Sequence, residues 1–378
     1  MDDTMSTALT SLTLTDFRNY PHLSLSFSQP LVAFIGDNGI GKTNILEAIS
    51  LLTAGRGLRR APLIDLTRKD ATQGWAVSAV FCKDGYDTRI GTGLSPSETG
   101  RRVRIDGEDA RSSEVLLDYM RVLWLVPSMD GLFTGPGSDR RRFLDRLTLA
   151  IDPTHGRRVS DFEKALRQRN RLLENGGNAR FLSAIEHQVA ELGTAVSAAR
   201  KETVALLGEA INAQAERGLP FPVASLSLAS AFEDEMLGLS ATDQEDRYRE
   251  LLEQGRPRDR AAGRTLNGPH LSDLLVRHVE KQMPAAQSST GEQKALLIGL
   301  VLAHADLTAS VTDIRPVLLL DEVAAHLDPG RRAALFSRLL EIGGQVFMTG
   351  TDISLFEALP SQGEIFRISK DGPELLPR

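Results

Sequence analysis

Residues 34–49 read FIGDNGIGKTNILEAI, and this stretch decides the fold. An apolar run from Leu31 precedes three glycines, and an apolar helical pattern follows them. The order predicts a buried strand, a glycine loop and a helix from Lys42 to about Leu52. Gly36, Gly41, Lys42 and Thr43 occupy every fixed position of G-x-x-x-x-G-K-[ST]. Glycines let the backbone wrap so that successive N–H groups face a phosphate, and the helix adds the positive end of its dipole. Lys42 is placed to neutralise the outer phosphates of a nucleoside triphosphate, and the Thr43 hydroxyl to ligate Mg2+. The plain alternative is a glycine turn that matches by chance. The strand–loop–helix order argues against it.

A second constellation is Val317-Leu-Leu-Leu-Asp321-Glu322. A carboxylate ending a buried strand is costly unless a metal or donor meets it. Asp321 is therefore the expected Mg2+ contact, and Glu322 the expected base that polarises an attacking water. A third is Ser288-Ser-Thr-Gly-Glu-Gln293, ahead of the apolar KALLIGLVLAHA. On its own this turn is an ordinary N-cap with an acid in the first helical turn. About 30 residues before the acidic strand, however, it resembles the signature turn of ABC-type ATPases. Ala324-Ala-His-Leu-Asp328 resembles the D-loop of the same superfamily. That resemblance implies an α/β ATPase head in which ATP is shared between two copies of the chain.

Composition sets the outer bounds. The 378 residues are 41% apolar and 25% charged, ordinary for a protein with a real core. No apolar run reaches the roughly 20 residues a membrane span needs, so no membrane association is expected. The opening MDDTMSTALTSL is acidic and lacks a secretory layout. A single cysteine, Cys82, forms no internal disulfide, which predicts a reducing, cytoplasmic setting and a core-filling role for that thiol. The net charge of −6 gives no sign of nucleic acid, so any such partner must be met by local basic patches.

Along the chain, residues 75–81, 86–94 and 101–106 alternate and predict a small antiparallel sheet. Residues 122–126, 316–322 and 345–351 are unbroken apolar runs, as parallel strands covered on both faces require. Phe162, Leu166, Arg169 and Leu173 fall at helical spacing. Ile185, Val189, Leu192, Val196 and Ala199 repeat it, predicting a helical hairpin with an arm of about 50 Å. The Arg-, Gly- and Asp-rich stretch from Arg256 reads as partly mobile. The expected layout is an N-terminal part of the head at 1–150, an inserted helical lobe at 151–260 and a C-terminal part at 261–378.

DFRNY at Asp16–Tyr20, the glycine loop with Asn44, GRGLR at Gly55–Arg59, LVPSMDGLFTGPGSDRRRFLDRL at Leu125–Leu147, and GPH at Gly268–His270 follow one another in this chain. In that order they resemble the RecF family of bacterial DNA replication and repair proteins, which is built like the head of SMC-type ATPases. The resemblance implies ATP-dependent homodimerisation on gapped or junction duplex DNA, with weak, DNA-stimulated ATP hydrolysis. It further implies action with RecO and RecR to load RecA at single-stranded gaps, in recombinational repair and the SOS response. Carried over, Gly36, Asn38, Gly39, Gly41, Lys42, Thr43 and Asn44 form the nucleotide cradle. Lys42 and Glu322 act in catalysis, while Thr43 and Asp321 hold the metal. Ser289, Gly291, Glu292 and Asp328 face a partner's nucleotide, and Arg18 reaches the nucleotide or the dimer face.

Three departures stand out. Thr349 and Thr351 occupy the region of the ABC switch histidine, and Pro127-Ser-Met-Asp130 stands where many ABC proteins carry glutamine. After GPH come Leu271 and Ser272, where an arginine and an acid are expected. For DNA, the candidate clusters are Arg56, Arg59 and Arg60, with Arg101, Arg102 and Arg104; Arg140, Arg141 and Arg142 form a third. Charge runs are usually solvated or ion-paired. Their lack of interleaved aromatics predicts backbone tracking that is sequence-independent and salt-sensitive. Two rival readings are the ATPase subunit of an ABC-type transporter, and a DNA-bridging protein that binds ATP without hydrolysing it.

Overall fold

The structure is a computed structural model and describes residues 7–98 and 100–377. The acidic opening, residues 1–6, lies outside the described residues. The chain forms two compact units. One runs up to Asp130 and resumes at Gly218–Phe221 and from Leu297; the other comprises Gly131–Arg217 and Pro222–Leu296. The second unit is wider than the 151–260 lobe expected from sequence, because the helix Gly137–Ile151 and a small sheet belong to it.

Among the described residues the first unit holds two six-stranded sheets. In the core sheet Leu31–Ile35 lies between Val346–Gly350 and Gly363–Ser369, parallel to both. Val317–Leu320 and then Val122–Leu125 extend it in the same direction. Strands from both ends of the sequence therefore share one sheet, and all five residues of Leu31–Ile35 are buried. The short strand Gly372–Leu375 runs antiparallel to Gly363–Ser369.

The second sheet is antiparallel, in the order Tyr20–Ser26, Thr7–Phe17, Trp75–Lys83, Tyr86–Leu94, Arg102–Ile105, Glu108–Asp109. Its strands alternate buried and exposed, so one face packs inward. Leu12, Leu14 and Val77 join Val32, Phe34, Phe347, Ile45 and Ile49 in a single core. Each such side chain, fully buried, contributes about 1.5–3 kcal/mol. The side-chain amide of Gln345, itself buried, bonds both backbone groups of Leu9 at 2.8 and 2.9 Å, 336 residues away. This pairing fixes the two sheets to each other.

One helix corrects the reading of apolar runs. Thr290–Thr312 is long and apolar enough to cross a membrane by length and composition, yet most of it is buried inside the protein. Leu297, Leu300, Val301 and Leu302 are closed off from solvent. A helix that is apolar all round fits such a core position as well as it fits a lipid one.

The second unit contains the predicted hairpin, His155–Glu174 and Ala179–Glu216. The longer arm has 38 residues, roughly 57 Å. Phe162, Leu166, Val189 and Val196 pack with Tyr248 and Leu252 of a further helix, Ala241–Ala262. That helix runs through the stretch read as mobile. Arg256 pairs with Glu186, and Arg260 donates to the Leu173 carbonyl at 2.9 Å, so polar contacts hold what apolar spacing does not announce. Arg169 sits among the apolar positions yet is fully buried. It donates to Glu186 at 3.0 Å, Asp259 at 2.7 Å, Thr265 at 2.8 Å and the Leu252 carbonyl at 2.7 Å. A buried guanidinium is tolerated only when its donors are satisfied in this way. A three-stranded antiparallel sheet, Met283–Pro284, Asp273–His278 and Ala224–Ala229, completes the unit.

Candidate nucleotide-binding site

The glycine loop joins Leu31–Ile35 to the helix Lys42–Ser50. Gly36 and Gly41 have φ of 146° and 120°, and a Cβ at either would collide with its surroundings. At Gly41 it would stand 2.5 Å from the Tyr20 hydroxyl and 2.6 Å from Asn19 Nδ2. Gly39 and Asn38 are exposed, and nothing lies within 4 Å of a Cβ built on Gly39, which leaves room for a ligand at the crest. Lys42 is buried, and its Nζ donates to the carbonyls of Gly36 at 2.6 Å and Asp37 at 2.8 Å. Burial lowers the ammonium's pKa from its ordinary value, while Glu322, Asp321 and Asp37 oppose that shift.

The two main motifs meet directly. The Thr43 hydroxyl lies 2.9 and 3.1 Å from the carboxylate oxygens of Asp321, across 278 residues of sequence. Thr349 donates to the same carboxylate at 2.7 Å, and the Glu322 N–H donates to the Thr349 hydroxyl at 2.9 Å. Glu322 itself is left-handed, φ 55° and ψ 17°. One hydroxyl and one carboxylate are hard oxygen donors, suited to a Mg2+ that completes its shell with phosphate oxygens and water. Among the described residues no cluster of three acids, histidines or cysteines forms a cage of its own. The donor set thus fits a metal that arrives with a nucleotide.

Arg18 does not stand free for a nucleotide. Its Nε and Nη2 grip Glu47, each at 2.8 Å, and its Nη1 bonds the Asp65 carbonyl. Arg59 reaches Glu47 at 3.0 Å and the Asn44 side chain at 2.7 Å. Asn44 in turn donates to Asn19, and Asn19 to the Ile40 carbonyl at 2.9 Å. The turn after Asp16 is therefore bolted to both sides of the loop. Sequence reasoning assigned no role to Asn19 or Glu47; the available signal was an acid among the apolar positions of NILEAI.

In the second unit, the Ser289 hydroxyl contacts Glu292 Oε2 at 3.0 Å, and Glu292 Oε2 also accepts the Ser289 N–H at 3.0 Å. The Glu292 N–H points back to the Ser289 hydroxyl at 3.4 Å. This is a capping box at the start of Thr290–Thr312. Lys281, then the Ser289 donors, hold the Glu292 carboxyl down to about 2. Ser289 and Gly291 remain exposed. In the first unit Asp328 caps the helix Pro329–Ile342, accepting the Arg331 N–H at 2.9 Å.

The basic clusters separate by their partners. Arg101 is turned inward: it donates to the carbonyls of Leu51 at 2.5 Å and Thr53 at 2.7 Å, and burial lowers its pKa to about 10. It is a structural arginine, contrary to its assignment to a DNA surface. Arg102 pairs with Glu98, and Arg104 with Asp109 at 2.9 Å. Arg56, Arg59 and Arg60 are exposed, although Arg59 carries the contacts above. Arg140 grips Asp273 at 2.8 and 2.7 Å, Arg141 donates to the Ser272 carbonyl at 2.8 Å, and Arg142 pairs with Asp139. Asp273 thus supplies an acid beyond GPH, one position later than expected, while buried Ser272 donates to Glu233 at 2.7 Å.

A DNA replication and repair protein RecF of Mesorhizobium japonicum is 56% identical to this chain over 365 residues, 96% of each. The chain belongs to the RecF family. A RecF of Agrobacterium fabrum is 54% identical over 375 residues, 98% of this chain and 99% of the relative. The family model described as RecF/RecN/SMC N terminal domain matches residues 8–371. Among solved structures, the recombination mediator protein RecF-ATPrS in the RecFOR pathway is similar with a TM-score of 0.85 and 22% identity, covering 98% of this chain and 99% of that one. The Smc head of Pyrococcus furiosus with an extended coiled coil, bound to the C-terminal domain of ScpA, gives a TM-score of 0.54 at 15% identity, covering 98% and 96%. These likenesses establish an α/β fold of the RecF and SMC ATPase-head type. A match along nearly the whole chain does not favour a transporter subunit.

Proposed function

We propose that this chain is an ATP-dependent DNA-binding protein of recombinational repair. Two copies close on ATP, engage gapped or junction duplex DNA and, with RecO and RecR, promote RecA loading at single-stranded gaps and the SOS response in the cytoplasm. The observation that carries the reading is the 2.9 Å contact of Thr43 with Asp321, which unites the phosphate cradle and the acidic strand.

When bound, ATP with Mg2+ supplies a terminal phosphoryl group whose transfer to water is eased by charge neutralisation. Thr43 and Asp321 would hold the metal. Lys42 lends its ammonium to the outer phosphates, redirecting protons now given to the Gly36 and Asp37 carbonyls. Glu322 accepts the proton of the attacking water at its carboxylate. Ser289 and Gly291, exposed at a helix N-terminus, suit the terminal phosphate of a partner's nucleotide. Because those donors need the triphosphate, only ATP favours the closed pair. Slow, DNA-stimulated hydrolysis then reopens it.

The test is solution mass with ATP, ADP or no nucleotide, each with and without gapped DNA. A dimer confined to the ATP samples supports the reading. A monomer at saturating ATP with DNA present removes it.

A further inference from the structure

We propose that Thr349 is the positioning residue for water activation, its one hydroxyl fixing Glu322 and Asp321 together. This rests on the ATPase reading above and adds to it a residue that acts through Asp321 and Glu322.

Glu322 lies between the buried strand Val317–Leu320 and the single turn Val323–His326. Its left-handed backbone is uncommon for a residue with a Cβ and needs a contact to hold it. That contact is its own N–H, given to Thr349 Oγ1 at 2.9 Å. A hydroxyl has one proton to give, and Thr349 gives it to Asp321 Oδ1 at 2.7 Å. The group thereby donates to the Asp321 carboxylate and accepts from the Glu322 backbone.

Thr349 is placed to hold them rigidly. It is 1% exposed and sits on Val346–Gly350, the strand paired in parallel with Val317–Leu320. Its branched Cβ restricts side-chain rotation. Asp321 Oδ1 is also within 2.9 Å of Thr43, so one line of contacts runs Thr43, Asp321, Thr349, Glu322. The metal-side hydroxyl and the proposed base are thus set by a single frame. Loss of the Thr349 hydroxyl leaves Asp321 with Thr43 but frees the Glu322 turn to relax. Lys42 is held by the Gly36 and Asp37 carbonyls rather than by the Thr349 hydroxyl, so nucleotide binding should survive.

The experiment compares the full-length chain with its Thr349→Val and Thr349→Ser variants in two measurements. One is steady-state ATP hydrolysis with Mg2+ and gapped DNA; the other is equilibrium binding of a fluorescent ATP analogue. Valine keeps the shape and drops the hydroxyl, whereas serine keeps the hydroxyl. The expected result for Thr349→Val is a kcat lower by roughly 10- to 100-fold, with KM and analogue affinity within about twofold of the parent. Thr349→Ser should recover most of the rate. The proposal is overturned by an unchanged kcat in Thr349→Val, by a serine variant as slow as the valine one, or by an equal loss of analogue binding. A parent chain that binds the analogue yet never hydrolyses ATP overturns the ATPase reading itself, and this proposal with it.

Discussion

Arg18 closes both oxygens of Glu47, Nη2 on Oε1 and Nε on Oε2, each at 2.8 Å, and the Glu47 side chain is only 2% exposed. A carboxylate buried beside the glycine loop is thus neutralised by a residue of the neighbouring sheet. Arg18→Ala should leave that charge with Arg59 alone and destabilise the chain by about 3 kcal/mol, as broken buried pairs do. Chemical denaturation measures this. Full stability with nucleotide affinity lost would instead return Arg18 to the role read from FRNY.

Exposed Arg56 and Arg60 test the DNA surface without removing Arg59, which supports Asn44 and Glu47. The double change Arg56→Glu, Arg60→Glu should weaken ATP-dependent DNA binding at least tenfold and flatten its salt dependence by about one unit per lost phosphate contact. Fluorescent-nucleotide affinity should hold. Arg101→Ala, by contrast, should lower stability, since it uncaps the Leu51 and Thr53 carbonyls. DNA affinity unaltered by the double change would exclude that surface.

Glu322→Gln keeps the shape of the acid and removes its basicity. Hydrolysis should fall roughly 10²- to 10⁴-fold, while the ATP-bound dimer should persist far longer in size-exclusion or ultracentrifugation runs. A dimer lifetime equal to the parent's would show that the proton leaves by another group.

At the signature turn the expected pH dependence has a definite sign. Lys281 and the Ser289 donors depress the Glu292 carboxyl from 4.5 to about 2. A depressed carboxylate adds stability that is complete above its unfolded value and disappears as pH falls through its folded one. Between about 4.5 and about 2, the parent should therefore lose stability faster than Glu292→Gln. Parallel unfolding curves for the two proteins would refute the capping role.

The cradle was legible from sequence because its signals are local. Glycine loop, apolar strand and helix are contiguous, and each is dictated by backbone geometry. The fate of Arg101 was not legible, since its carbonyl partners lie 50 and 48 residues away and a count of arginines cannot tell a cap from a DNA contact. The helix Ala241–Ala262 escaped for a related reason. Its inward face is largely Tyr248 and Leu252, the rest is polar, and Pro257 interrupts the pattern. What fixes it are Arg256 to Glu186 and Arg169 to Asp259, contacts that spacing alone does not reveal. The place of Thr349 was half visible: a hydroxyl stood in the switch region, but its partners appeared only once the strands were paired.

The interleaving of Leu31–Ile35 between Val346–Gly350 and Gly363–Ser369 has a consequence for biosynthesis. During translation the first of these strands waits for neighbours that are synthesised last, roughly 20 to 70 seconds later at ordinary ribosome speed. The segment Gly131–Leu296 has emerged almost entirely by then and can settle first. A nascent chain halted before Val346 would carry a complete phosphate-binding sequence with no sheet to mount it on, and such a product is a substrate for chaperones rather than for ATP.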